Sequence, residues 1–297
     1  MATEDRGSGA VVVTGVSSGI GYAIAKLLTE RGYTVFGSVR KANDADRVRA
    51  ALGAKLVPLL FDVCDGAAIG GAARDVRERM AGRTLLGLVN NAGIGTSGAL
   101  LHEPIEEIRS VLDINLIGQL RVMQAFAPLL GTDSALAGPP GRIVNVSSVG
   151  GTLVGPFMGA YAASKIGLEA VSDALRTELL PYGIDVIVIA PGFFESSIGA
   201  NAPRDYARYD ATDFGRTFRR FAERFDGEVA KSWPAVRLAD LVLTALTSSK
   251  PKAHYFVGPP GRLAIWLMSH LPRRMRGVVG ARMFDALPHK GESFRRG

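Results

Sequence analysis

The chain has one cysteine, Cys64, in 297 residues, so no internal disulfide can form and nothing points to an oxidising compartment. No apolar run reaches the ~18 residues that a membrane-spanning helix requires. The opening residues, MATEDRGSGA, carry acids and no apolar centre, unlike a secretory signal. The histidines His102, His254, His270 and His289 lie far apart with no cysteine cluster, so no metal site is expected. Acidic residues are scarce at one end. From residue 262 onward eight Lys/Arg face only Asp285 and Glu292, so most of the net charge of +7 belongs to the tail. A nucleic-acid-binding body, which would spread basic residues over the fold, is excluded. A soluble cytoplasmic protein is the expectation.

Hydrophobic residues make up 47% of the sequence and glycines number 36, a composition that packs into a globular fold. Seven short apolar runs read as strands: 10–15, 33–39, 54–63, 85–93, 142–148, 184–192 and 253–258. Most lack polar alternation, as expected of parallel strands buried on both faces. Between them helical patterns are predicted at 21–31, 67–80, 105–130, 161–182 and 235–248. Strand–helix alternation of this kind yields an α/β doubly wound parallel sheet. Pro58 assigns the third strand to an edge or a strand start. One domain over 10–258 is expected, with a flexible lead-in at 1–9 and a basic helical extension at 259–297. Residues 194–231 interrupt the alternation at the carboxyl edge of the sheet, where such folds bind ligands. Their aromatics and arginines fit either a helical excursion packed on the body or a substrate lid.

The first strand runs into TGVSSGIG, with Gly15, Gly19 and Gly21 around a turn and a helix directly after. Free backbone N–H groups and the positive end of the helix dipole suit a pyrophosphate there. Further on, YAASK places Tyr161 and Lys165 four residues apart, on one helix face. Alone, that pair fits a solvated surface as well as a proton donor with a cation beside it.

Taken together, TGVSSGIG, NNAG at 90–93, NVSS ending at Ser148, YAASK and PG at 191–192 resemble the ordered motifs of short-chain dehydrogenases/reductases. Ser148 and Tyr161 lie 13 residues apart, the family's interval, and Asn115 falls where its active-site asparagine lies. The resemblance covers about 10–258. It implies a Rossmann-type seven-stranded sheet in the order 3-2-1-4-5-6-7 and hydride transfer between a nicotinamide and a carbonyl or alcohol carbon. Tyr161 would be the general acid or base. Lys165 would hold the nicotinamide ribose and, at about 4 Å and an effective dielectric near 20, favour the tyrosinate by roughly 4 kcal/mol. Ser148 would bind the substrate oxygen, and Asn115 would hold a relay water. Gly15, Ser17, Ser18, Gly19, Ile20, Gly21, Asn91, Ala92 and Gly93 would line the cofactor together with Tyr161 and Lys165. Asp62 and Val63 would meet the adenine, with Cys64 beside them as a small buried hydrophobe. Pro191, Gly192 and Ser196 would flank the carboxamide. Ser196 stands where the family often has threonine.

At the end of the second strand Val39 occupies the place of the family's NAD-selective aspartate, and Arg40 and Lys41 follow. A guanidinium suits a ribose 2′-phosphate, so NADP(H) is expected over NAD. The long C-terminal end is similar to the branch that handles steroids, retinoids and other lipophilic alcohols. A lipophilic ketone or secondary alcohol is therefore the expected substrate. An acyl-thioester reductase and a catalytically silent NADP-binding sensor are the alternatives. The run Leu263–Met268 beside Arg273, Arg274 and Arg276 fits a helix packed over the substrate mouth, or a segment lying on a membrane surface. The family resemblance also implies a homodimer or homotetramer.

Overall fold

Ala10 to Val13 are four consecutive buried residues, and they alternate between two cores. Ala10 and Val12 face one and Val11 and Val13 the other, as the two-residue period of a strand dictates. The computed structural model describes residues 9–195, 206–258, 261–287 and 289. The elements in its first half are β1 (Ala10–Val13), α1 (Gly19–Glu30), β2 (Thr34–Val39), α2 (Ala42–Leu52), β3 (Leu56–Leu60), α3 (Gly66–Met80), β4 (Gly87–Asn90), α4 (Ile105–Leu112) and α5 (Gly118–Ala127). Then come β5 (Arg142–Val146), α6 (Gly159–Glu178), β6 (Asp185–Pro191), α7 (Gly215–Val229), α8 (Ala235–Thr247), β7 (His254–Val257), α9 (Arg262–His270) and α10 (Arg273–Met283).

The strands form one parallel sheet in the order β3-β2-β1-β4-β5-β6-β7. All seven expected strands are present, each trimmed at one or both ends. Pro58 lies in β3, the edge strand, where its missing N–H costs no ladder bond. On one face Ile24 and Leu28 of α1 pack with Leu238, Val242 and Leu246 of α8. On the other, Ile69 and Val76 of α3 meet Val122 and Phe126 of α5 and Leu168 of α6. Each helix buries a stripe with three- and four-residue spacing, which is what holds it to the sheet.

Two expectations change. The helix predicted over 105–130 is not continuous: a π-helical turn at Asp113–Ile117 separates α4 from α5 and contains Asn115. The extra residue in that turn rotates Asn115 into the interior, where it is fully buried. Cys64 is exposed, because it follows the strand in the turn leading to α3. Partial desolvation, together with the nearby Asp113 and Asp62, raises its thiol to about 12, which keeps it protonated.

After β6 the chain leaves the sheet and returns. The base of this excursion is stapled by backbone hydrogen bonds from Trp233 to Phe193 (3.0 Å) and from Glu195 to Trp233 (2.9 Å). Tyr209, Phe218 and Phe221 form a third core with Ala99, against Phe157, Phe225 and Phe284. The residues of the excursion that carry this core lie at the carboxyl edge of the sheet.

Candidate active site

The turn between β1 and α1 is shaped by two glycines in the left-handed region, Gly15 (φ 73°) and Gly19 (φ 57°). A Cβ on Gly21 would lie 2.1 Å from the Gly15 carbonyl oxygen, so only glycine lets the helix start this close to the strand. The Gly15 N–H donates to Ser38 Oγ at 3.0 Å, tying the turn to β2.

Thr14, just before that turn, was not singled out from the sequence. Its Oγ1 accepts from the backbone N–H groups of both Asn91 and Ala92, each at 2.9 Å. Asn91 Nδ2 donates back to the Thr14 carbonyl at 3.0 Å. These bonds clip the end of β4 to the end of β1 and set the loop 91–93 beside the glycine turn. The signal was available as the threonine ahead of the first glycine, but it depends on a strand 75 residues away in sequence.

Beyond that clip Gly93 is squeezed: a Cβ there would lie 3.1 Å from Asn115 Oδ1 and 3.8 Å from Lys165 Nζ. The Asn115 side chain is committed to the backbone of Ile94. Its Oδ1 accepts from the Ile94 N–H and its Nδ2 donates to the Ile94 carbonyl, both at 2.8 Å. Nδ2 also donates to Ser164 Oγ at 3.1 Å. The side chain therefore braces the loop. Ser164 is fully buried, accepting from Asn115 and donating to the Tyr161 carbonyl. Behind the site, Asn90 Nδ2 donates to Asn145 Oδ1 at 2.9 Å, and Asn145 Nδ2 to Ser172 Oγ at 2.8 Å. This buried chain fixes β4, β5 and α6 in mutual register.

Ser148 opens the short turn Val149–Gly151, and its Oγ accepts from the Gly150 N–H at 3.1 Å. That leaves the hydroxyl hydrogen free to turn toward Tyr161. Burial raises the Tyr161 phenol above its usual value, and the Ser148 hydroxyl only partly opposes this. Lys165, 3% exposed, sits one turn on; its Nζ donates to the Val146 carbonyl at 3.0 Å and lies 5.9 Å from the Tyr161 ring centre. The expected lowering of the tyrosine by this lysine is absent: burial sets the direction, and the ammonium is turned to the strand end. Desolvation lowers Lys165 to about 8, with the Glu169 carboxylate opposing. Glu169 was also missed in the sequence. It accepts from Ser147 Oγ at 2.8 Å and lies 3.5 Å from His254 Nε2.

One cavity of about 900 Å³ runs along this edge of the sheet. Gly15, Ser17, Ser18, Ile20 and Gly21 line one part of it. Arg40, Asp62, Val63, Asn91, Ala92 and Gly93 continue the wall, and Ser148, Tyr161, Lys165, Pro191 and Gly192 follow. Gly19 and Asn115 stand behind the wall, and Ser196 lies outside the described residues. Arg40 is exposed at the end of β2, next to the buried Val39. A further cation, Arg47, reaches the Ser17 carbonyl (2.7 Å) and Asp44 (2.7 Å). It was hidden in the sequence because it lies a helical turn and a half beyond the strand. At its other end the cavity is lined by Met158, Phe193, Phe225, Met268, Met283 and Phe284. Among the described residues no cluster could hold a metal ion, and no helix is long and apolar enough to cross a membrane.

A parallel sheet in this order, with a glycine turn after β1 and a Ser/Tyr/Lys group at its carboxyl edge, defines an oxidoreductase of the Rossmann type. The model of the short chain dehydrogenase family matches residues 9–207, and the chain belongs to that family. It is 36% identical over 264 residues to the NADPH-dependent 3-dehydrocapnine reductase of Ornithobacterium rhinotracheale, spanning 89% of this chain and 93% of that one. It is 33% identical to mouse retinol dehydrogenase 16, over 88% and 84% of the two chains. Among solved structures, a short-chain dehydrogenase from Streptomyces avermitilis is similar with a TM-score of 0.70 and 28% identity, covering 84% of this chain and 89% of that one. A Burkholderia cenocepacia short chain dehydrogenase in complex with NADP shares the fold with a TM-score of 0.69 and 24% identity, over 93% and 97%.

Proposed function

We propose that the protein transfers a hydride between NADP(H) and a lipophilic ketone or secondary alcohol. The observation that carries this is one continuous cavity. A glycine turn and an exposed arginine lie at one end, Ser148, Tyr161 and Lys165 in the middle, and apolar side chains at the other end. The chain's residues fit the cofactor: the turn brings backbone N–H groups to the start of α1, and Arg40 with no carboxylate at position 39 suits a 2′-phosphate. The 3-dehydrocapnine reductase named as NADPH-dependent points the same way.

When bound, the nicotinamide supplies or accepts the hydride. Tyr161 holds the proton for the substrate oxygen, and its raised phenol keeps that proton at neutral pH, as reduction requires. Ser148, oriented by the Gly150 N–H, offers a second hydrogen bond to that oxygen. Lys165 supplies positive charge where negative charge develops. Asn115 acts by holding the loop at Ile94 in place. The excursion over 194–231 serves as a lid, and the C-terminal helices complete the apolar wall. Homo-oligomers and a cytoplasmic location, with contact to a membrane surface through the tail, complete the proposal.

The test is a panel of steroid, retinoid and fatty carbonyls assayed with NADPH, with Tyr161→Phe as control. Turnover of lipophilic ketones, lost by about 10³-fold in the variant while NADPH affinity is kept, is expected. Preference for small polar carbonyls, or for acyl-carrier thioesters, overturns the substrate assignment. Full NADPH binding with no turnover on any carbonyl favours the silent sensor.

A further inference from the structure

The substrate end of the cavity is apolar except for charged side chains on two helices. Arg276, Gly280, Met283 and Phe284 of α10 and the residue after it all line it. Their spacing of four, seven and eight residues puts them on one helix face. That face is seated firmly. A Cβ on Gly280 would lie 3.9 Å from the Val154 carbonyl, and Phe284 packs 5.7 Å from Phe221. Arg276 therefore stands one turn from the loop that follows Ser148, half-buried, in the same cavity as Tyr161. Arg224 of α7 joins it from the exposed rim.

Among the described residues neither guanidinium has an ion-pair or hydrogen-bond partner. Two carboxylates share this end, but Glu228 is held by Lys231 at 3.0 Å and Asp226 is itself engaged. A half-buried guanidinium beside methionine and phenylalanine side chains is poorly hydrated, and it gains most from an oxyanion that reaches it.

We infer that Arg276, with Arg224 at the rim, is an anion subsite, and that the substrate is an amphiphile: an apolar chain carrying the reacting carbonyl and a terminal oxyanion. This rests on the lipophilic reading above and narrows it. The oxyanion would sit at α10, the chain against Met268, Met283 and Phe225, and the carbonyl at Tyr161. Arg276 would thus set affinity and orientation without touching the reacting atoms.

The experiment reads binding and does not depend on turnover. Octanoate and 1-octanol are titrated by calorimetry into the enzyme–NADPH complex, using wild type, Arg276→Ala and Arg276→Lys. Wild type is expected to bind octanoate at least tenfold more tightly than octanol, as one charge-assisted contact allows. Arg276→Ala should remove that preference and leave octanol unchanged, with Arg276→Lys in between. Equal binding of the two probes by wild type, absence of octanoate binding, or an equal loss for both probes in Arg276→Ala overturns the subsite. Failure of the lipophilic-carbonyl reading appears elsewhere, as absence of turnover in the substrate panel, so the two are distinguishable.

Discussion

The Lys165 ammonium donates to the carbonyl of Val146, the last residue of β5, at 3.0 Å, in a position that leaves it 3% exposed. An ammonium so placed loses most of its hydration, which is why it is lowered to about 8 although Glu169 opposes the shift. The unfolded lysine titrates near 10.4, so between about pH 8 and 10 the unfolded chain binds more protons at this residue than the folded one. Stability therefore rises with pH across that window, and below it the buried charge is a cost. Lys165→Met removes the charge but leaves the Val146 carbonyl without its donor, which offsets part of the gain. The variant should be more stable than wild type at pH 7 by about 1 kcal/mol, with the difference shrinking toward pH 10, and should lose turnover. Thermal melts of both proteins at pH 7, 8.5 and 10 check this. A gap that widens with pH counts against it.

Thr14 makes a second prediction. Its hydroxyl serves two backbone donors at once, the N–H groups of Asn91 and Ala92, so Thr14→Val leaves both without an acceptor while keeping the side-chain shape. The expected loss is about 2 kcal/mol of stability. Because the clip sets the loop beside the glycine turn, the KM for the nicotinamide cofactor should rise several-fold with a smaller change in kcat. Thr14→Ser, which keeps the oxygen, should restore both. Equal KM values in wild type and Thr14→Val would mean that the clip supports the fold and nothing more.

The sheet was legible because its strands are apolar on both faces: runs such as AVVV and DVIVIAP have no other place to go, and Pro58 marked the edge. The glycine turn and the Ser148–Tyr161–Lys165 group were legible because they keep fixed intervals along the chain. Where a role depends on contacts between distant segments, the sequence was silent. The π turn that buries Asn115 breaks an otherwise smooth helical pattern. Thr14 acts through a loop far along the chain, and Glu169 acts through Ser147 and His254. The effect of Lys165 on Tyr161 went wrong for a related reason. Coulomb attraction was read from spacing on one helix face, whereas the fold turns the ammonium to the Val146 carbonyl and burial sets the direction for both groups.

The remaining prediction concerns cofactor choice. Arg40 is exposed on the cavity wall directly after β2, with buried Val39 before it, so the guanidinium is the group best placed for a ribose 2′-phosphate. Arg47 lies close by but is already engaged with Asp44 and the Ser17 carbonyl, which makes it a brace for the glycine turn before it is a phosphate ligand. Arg40→Ala should therefore lower kcat/KM with NADPH by about 10- to 100-fold, the loss of one charge-assisted contact, mainly through KM. With NADH, which lacks the phosphate, the same variant should be unchanged within about twofold. Steady-state kinetics with both cofactors on one carbonyl substrate give the answer. A parallel loss with NADPH and NADH would show that Arg40 shapes the groove without reading the phosphate, and an unchanged NADPH value would move the phosphate contact to Arg47 or Lys41.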